Sequence, residues 1–118
     1  MTTYDFDLAL ARHAIWMTRL KLYVLGIGEQ GLTAELAADS TACELGQWLL
    51  DGGRQYAASP GFSALLAAHD HFHAVAGEVV RLHRAGDATE AVAVLEQVLP
   101  EATDRVTQAL VELRKLQQ

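Results

Sequence analysis

Apolar and ring-bearing residues recur at close to helical spacing along most of the sequence. In the first segment they are Phe6, Leu10, His13, Ile15, Trp16, Leu20, Tyr23 and Val24. No proline interrupts Asp5 to Gly26, so the pattern predicts a long first helix ending near Gly26 or Gly28. Residues 29–40 carry no sustained stripe and are punctuated by Gly31; they read as a connection, with room for a turn of helix from Leu32 to Ala38. Thr41-Ala-Cys-Glu44 fits a capping box, in which hydroxyl and carboxylate satisfy the first unpaired amides of a new helix. Gly52-Gly53 stops that helix early.

Ser59-Pro60 opens the next helix, since proline is tolerated where an amide has no partner, and Gly86 closes it as a left-handed cap. Between them runs the stripe Phe62, Leu65, Leu66, His69, His73, Ala76, Val80 and His83. Asp87-Ala-Thr-Glu90 fits a second capping box and starts the pattern Val92, Val94, Leu95, Val98, Leu99, Val106, Leu110, Leu113 and Leu116. Pro100 must kink or split that last helix. No window alternates as a strand does. The fold expected is all-α: an antiparallel four-helix bundle with an additional short helix carrying the cysteine in the first long connection.

Composition sharpens this. At 118 residues and 51% apolar content the chain forms one domain over residues 1–118, with a core that needs no covalent or metal staple merely to hold it. A net charge of −6 has the wrong sign for nucleic acid or an anionic membrane surface. The single cysteine makes no intramolecular disulfide, the N-terminus has neither a basic nor an apolar leader region, and no apolar run approaches the roughly 20 residues that span a bilayer. A soluble, reduced, cytoplasmic protein is the expectation.

His69 and His73 are four residues apart, so about 400° of rotation leaves both imidazoles on one face of a helix, one turn apart. Both interrupt an apolar stripe, where an unpaired ring nitrogen costs at least ~1 kcal/mol. His13 also lies on an apolar face, three residues before Trp16. The other reading of the pair is that one or both are merely hydrogen-bonded or exposed, and that of His13 is a core residue bonded to a backbone carbonyl. Cys43 falls in the first turn of the short helix, where unpaired amides favour a thiolate; its other reading is a small buried hydrophobe. Three imidazoles and one thiolate suit tetrahedral Zn2+ in a closed shell, which points to structure or sensing instead of hydrolysis; copper and iron remain open by ligand type.

The motifs His13-Ala-Ile-Trp16, Cys43-Glu-Leu-Gly-Gln-Trp48, Gly53-Arg-Gln-Tyr56, Pro60-Gly-Phe62 and His69-x-x-x-His73, in that order, resemble those of the chemoreceptor zinc-binding (CZB) domain family. The likeness runs from His13 into the final helix, and its most specific part is the Cys-x-Leu-Gly-x-Trp box. It implies that His13, Cys43, His69 and His73 bind one Zn2+. It further implies a homodimer and a regulatory role beside a bacterial chemoreceptor or diguanylate cyclase, set by zinc occupancy or by oxidation of the cysteine. The 118 residues contain no methyl-accepting coiled coil and no cyclase motif, so the expectation is a stand-alone member that acts in signal transduction, such as chemotaxis, through a partner, or that buffers zinc.

Other residues carry weaker expectations. His71 lies about 200° around the helix from His69 and faces solvent, and His83 is about 15 Å along the axis from His73, too far to share an ion. Trp16 and Trp48 either shield the site or simply pack, and Asp70 is either an acceptor for a ligand imidazole or a solvated carboxylate. Arg81, Arg84, Arg114 and Lys115 sit at helix C-terminal ends, where cations complement the helix dipole. No second nucleophile, paired carboxylates or phosphate loop argues for an enzyme. Three readings follow: a zinc sensor, a redox sensor acting through Cys43, or a structural or dimerising helical bundle.

Overall fold

A computed structural model describes residues 4–27 and 31–117. Gly28 and the first residues of the connection after it therefore lie outside the described residues. Among the described residues, six α-helices follow in order: α1 (Phe6–Val24), α2 (Ala34–Ala38), α3 (Glu44–Leu50), α4 (Pro60–Arg84), α5 (Ala88–Gln97) and α6 (Leu99–Arg114). Tight 3-10 turns occupy Ser40–Ala42, Gly52–Tyr56 and Lys115–Gln117. No strand occurs among the described residues, and the all-α class is as expected.

Local chemistry sets most boundaries. The Asp5 carboxylate accepts from the Leu8 amide at 2.9 Å, the Thr33 hydroxyl from Leu36 at 3.1 Å and the Ser59 hydroxyl from Gly61 at 3.1 Å, each satisfying an amide that a helix start leaves unpaired. Gly86 closes α4 at φ +87°, with its amide bonded to the His83 carbonyl at 3.1 Å and the Asp87 amide to Leu82 at 2.9 Å.

That closure explains why the second capping box does not form. Asp87 is committed to finishing α4, its ψ of 59° lies outside the extended region a capping residue adopts, and its side chain makes no cap bond. The first box fails as well. Asp39 takes the Thr41 amide at 3.0 Å and hydroxyl at 2.6 Å, drawing Thr41 into the Ser40–Ala42 turn, so Cys43 itself becomes the N-cap of α3. Pro100 splits the last pattern in two: α5 ends at Gln97, and Pro100 takes the second position of α6, where its missing amide forfeits no helical bond.

The core is built around α4, which packs against α1, α2, α5 and α6. Partners on several sides bury more than one stripe, so Phe72, Val79 and Leu82 are covered although they lie off the predicted one. From α1 come Phe6, Trp16, Leu20 and Tyr23, and from α6 Leu99, Val106, Leu110 and Leu113. Three residues of the predicted stripes face outward instead: Ile15, Val98 and Leu116. The cations near helix ends mostly pair at the surface, Arg81 with Glu78, Arg114 with Asp7 and Lys115 with Glu112, and such exposed pairs contribute little.

Candidate metal centre

His13 shares the inner face of α1 with Ala9, Trp16 and Leu20, at helical spacing, and is buried with them. His69 and His73 lie on the face of α4 turned toward it, 1% and 0% exposed. One nitrogen from each of the three imidazoles lies within 4.8 Å of the others, close enough to converge on a single ion. The His13 and His69 ring centroids are 5.3 Å apart and those of His69 and His73 4.6 Å.

Cys43 meets one member of this cluster, His69, from the start of α3, while the group of mutually close donor atoms comprises the three imidazoles. Its sulfur lies 3.1 Å from Nε2 of His69, and as the N-cap it accepts from the Gly46 amide at 3.4 Å. Gly46 is obligatory in this arrangement: a Cβ there would sit 1.7 Å from the Ser40 carbonyl oxygen. The preceding turn can fold back against α3 only because that side chain is missing.

His73 is oriented by the backbone. Its Nδ1 lies 2.9 Å from the Ala37 carbonyl, and because a carbonyl only accepts, Nδ1 carries the proton and Nε2 the lone pair. Nε2 of His73 and Nε2 of His13 are both buried without a hydrogen-bond partner. An unsatisfied buried polar atom costs about 1–3 kcal/mol, a cost a metal ligand does not incur. Three imidazoles, two with buried and unpartnered nitrogens, beside one thiol are the donor chemistry of zinc, and these residues fit it.

Electrostatics keep the imidazoles neutral. Burial, and then any positive charge on His69 or His73, pushes His13 down to about 3. Burial and His73 push His69 down to about 4. Burial also lowers His73, against the opposing pull of the Ala37 carbonyl, Asp39 and Asp70. Neutral imidazole is the form that binds a metal. For Cys43 the expectation needs correction: burial raises its pKa and outweighs the amides of Gly46 and Leu45, so the helix start alone does not hold a thiolate.

Around the cluster, Trp16 stands nearly perpendicular to His73 with ring centroids 5.2 Å apart and carries Arg19 over its face at 4.1 Å. Phe72, which the stripe did not single out, packs against His13 at 4.4 Å. Trp48 lies apart, stacked on Tyr4 at 4.0 Å, so of the two indoles only Trp16 shields the cluster. A pocket of about 250 Å3 is lined by Arg12, His13, Trp16, Cys43 and Glu44. His71 and Asp70 are exposed, while His83 packs on Tyr23 at 4.9 Å, away from the cluster. Two contributors had no signal in the stripes: the Ala37 carbonyl and Gly46. The glycine was visible only as a helix-weakening residue inside a helical segment.

The model of the chemoreceptor zinc-binding domain family matches residues 13–80, more than half of the chain, and all four candidate donors lie within the match. The chain belongs to the chemoreceptor zinc-binding domain family. Zinc is accordingly the metal of this CZB domain. The matched stretch begins at His13 and ends on α4, so it holds the donor cluster and leaves α5 and α6 outside. Comparison with curated proteins and with solved structures gave no match. Among the described residues, no helix of this CZB domain is long and apolar enough to cross a membrane.

Proposed function

We propose that this CZB domain is a non-catalytic regulatory module in which His13, Cys43, His69 and His73 hold one Zn2+ and occupancy is read out by a partner or a second copy. The observation that carries this reading is the pair of buried, unpartnered Nε2 atoms of His13 and His73 beside the Cys43–His69 contact. Bound there, zinc would supply a closed tetrahedral shell with no place left for substrate water. The helices α1 and α4 contribute three donors from the packed core, whereas α3 contributes Cys43 alone. Cys43 is thus the single tether between zinc and the α3 segment, and its release frees that segment to change the surface it presents. Hydrogen exchange of residues 41–51, zinc-loaded against zinc-free, tests this. The expected result is faster exchange without zinc, and identical exchange would overturn the switch.

The pocket lined in part by Cys43 supports a second reading, that of an oxidant sensor. Peroxide or hypochlorous acid would convert the Cys43 thiolate to a sulfenic acid, the oxidant supplying the oxygen and being reduced, and a sulfenic acid is a poor zinc ligand. Zinc release at micromolar oxidant supports this reading, and retention at millimolar oxidant would refute it.

The readout we favour is cytoplasmic and homodimeric, with a chemoreceptor or diguanylate cyclase as the class of output partner. On α1, Leu8, Ile15 and Leu22 are exposed and spaced seven apart, with Ala11 and Thr18 between them. That spacing suits the seam of a two-helix coiled coil, for which a second copy of α1 would offer the same residues in return.

A further inference from the structure

The segment before Cys43 is held against α4 more closely than its length explains. Leu32 is fully buried, its carbonyl lies 3.3 Å from an Arg84 guanidinium nitrogen, and Thr33 caps the five-residue α2. At the contact itself α4 has Gly77, one turn after His73. A Cβ on residue 77 would lie 2.7 Å from the Ala38 Cβ, 3.1 Å from the Ala34 carbonyl oxygen and 3.2 Å from the Ala38 Cα. The 2.7 Å contact is closer than real Cβ atoms come and the other two are tight, so a side chain at 77 forces α2 and α4 to shift against each other.

The helix so crowded carries the group that orients His73. Ala37 is fully buried in this contact, and its carbonyl accepts from the His73 Nδ1, 2.9 Å away and 36 residues off in sequence. We propose that Gly77 and the Ala37 carbonyl are positioning groups: the glycine admits α2 to α4, and the carbonyl so placed fixes the His73 tautomer with Nε2 facing the cluster. The inference rests on the reading of His73 as a ligand and adds to it. It makes α2 part of the site although α2 supplies no ligand, because a hydrogen bond to the far nitrogen sets both the tautomer and the basicity of a ligating imidazole. It also ties two events together. The chain runs from Ala37 through the Ser40–Ala42 turn to Cys43, so the seating of α2 orients one donor and delivers another.

The test compares Gly77→Ala, Gly61→Ala and the double variant Gly77→Ala/Ala38→Gly. Zinc affinity is read by competition with a chromophoric chelator, and the His73 tautomer by nitrogen-15 NMR of zinc-free protein. Gly77→Ala should bind zinc about 10- to 100-fold more weakly, the usual effect of losing such an outer partner, although alanine is the better helix former. Gly61→Ala, whose Cβ would meet only ordinary contacts at 3.4 and 3.5 Å, should leave affinity unchanged. Adding Ala38→Gly removes the closest clash and should recover most of the loss, despite placing a poorer helix former in α2. The wild-type imidazole should be protonated at Nδ1, and in Gly77→Ala the two tautomers should mix. A wild-type His73 protonated at Nε2, a folded Gly77→Ala with wild-type affinity, or no recovery in the double variant would each overturn the proposal. If Gly77→Ala does not fold, the wild-type tautomer decides alone. Wild-type protein that takes up no zinc overturns the ligand reading instead, while the tautomer still tests the positioning role.

Discussion

The sulfur of Cys43 lies 3.1 Å from Nε2 of His69, although one belongs to the cap of a seven-residue helix and the other to the centre of the longest helix in the chain. The fold brings soft sulfur within hydrogen-bond distance of a buried imidazole. Burial has opposite effects on the two groups in the zinc-free protein: it lowers the basicity of the ring and holds the proton on the sulfur.

That opposition fixes the proton count of zinc binding. Near neutral pH the imidazoles are already unprotonated, since His13 is pushed down to about 3, His69 to about 4 and His73 is lowered, while Cys43 is raised and carries its proton. Binding should release one proton per zinc, and apparent affinity should rise about tenfold per pH unit at neutral pH. Calorimetry in buffers of different ionisation enthalpy measures that number directly. A value near zero or near three would contradict the electrostatics.

Acid should destabilise the zinc-free fold through the same histidines. In the unfolded chain they titrate near 6.5, and in the folded one His13 and His69 titrate near 3 and 4, so between these limits the unfolded state binds more protons. The stabilisation is therefore complete above about pH 6.5 and is lost as pH falls toward the folded values, by at most about 1.4 kcal/mol per pH unit for each histidine. Urea unfolding in the presence of a chelator between about pH 7.5 and 4.5 should trace this decline. A flat profile would show that the imidazoles are not buried as described.

Gly46→Ala should damage zinc binding more than its position on a small helix suggests. The new methyl would meet the Ser40 carbonyl at 1.7 Å, so the turn must move and carry Cys43 with it. We expect a stability loss of about 1–3 kcal/mol, as for other overpacked contacts, together with weakened zinc uptake. Thermal unfolding and chelator competition check both, and wild-type behaviour in both would refute the close approach.

Ile15→Glu tests the α1 seam. Ile15 is 55% exposed, so the substitution should leave the monomer fold intact while placing like charges opposite one another in a paired helix. Sedimentation equilibrium should show a dimer for the wild type and a monomer for the variant, with unchanged helical circular dichroism. A monomeric wild type, or a dimeric variant, would contradict the seam.

The legible part of the molecule was the part governed by local rules. Helical period and the signals at Ser59-Pro60 and Gly86 were enough to place α1 and α4, and with them His13, His69 and His73 on inward faces. The two capping boxes read correctly as residue patterns and failed because competing bonds took their members: Asp39 captured Thr41, and closure of α4 captured Asp87. Phe72 escaped because α4 is covered on several sides, which a single stripe does not represent. The Ala37 carbonyl was beyond reach for another reason. A backbone group has no residue signature, and its role depends on a contact between α2 and Gly77 that only the assembled fold creates.

The central claim is that His13, Cys43, His69 and His73 form one zinc site. It is tested most directly by the metal content of protein purified without added zinc or a metal-binding tag, for the wild type, Cys43→Ala, His73→Ala and His71→Ala. Structural zinc sites contribute about 10–16 kcal/mol, so losing one of four ligands should weaken binding on the order of 100-fold. The account predicts near-stoichiometric zinc in the wild type and in His71→Ala, whose ring is exposed, with a sharp fall in the other two variants. Metal-free wild-type protein that also fails to take up zinc, or Cys43→Ala and His73→Ala variants that retain it, would contradict the account.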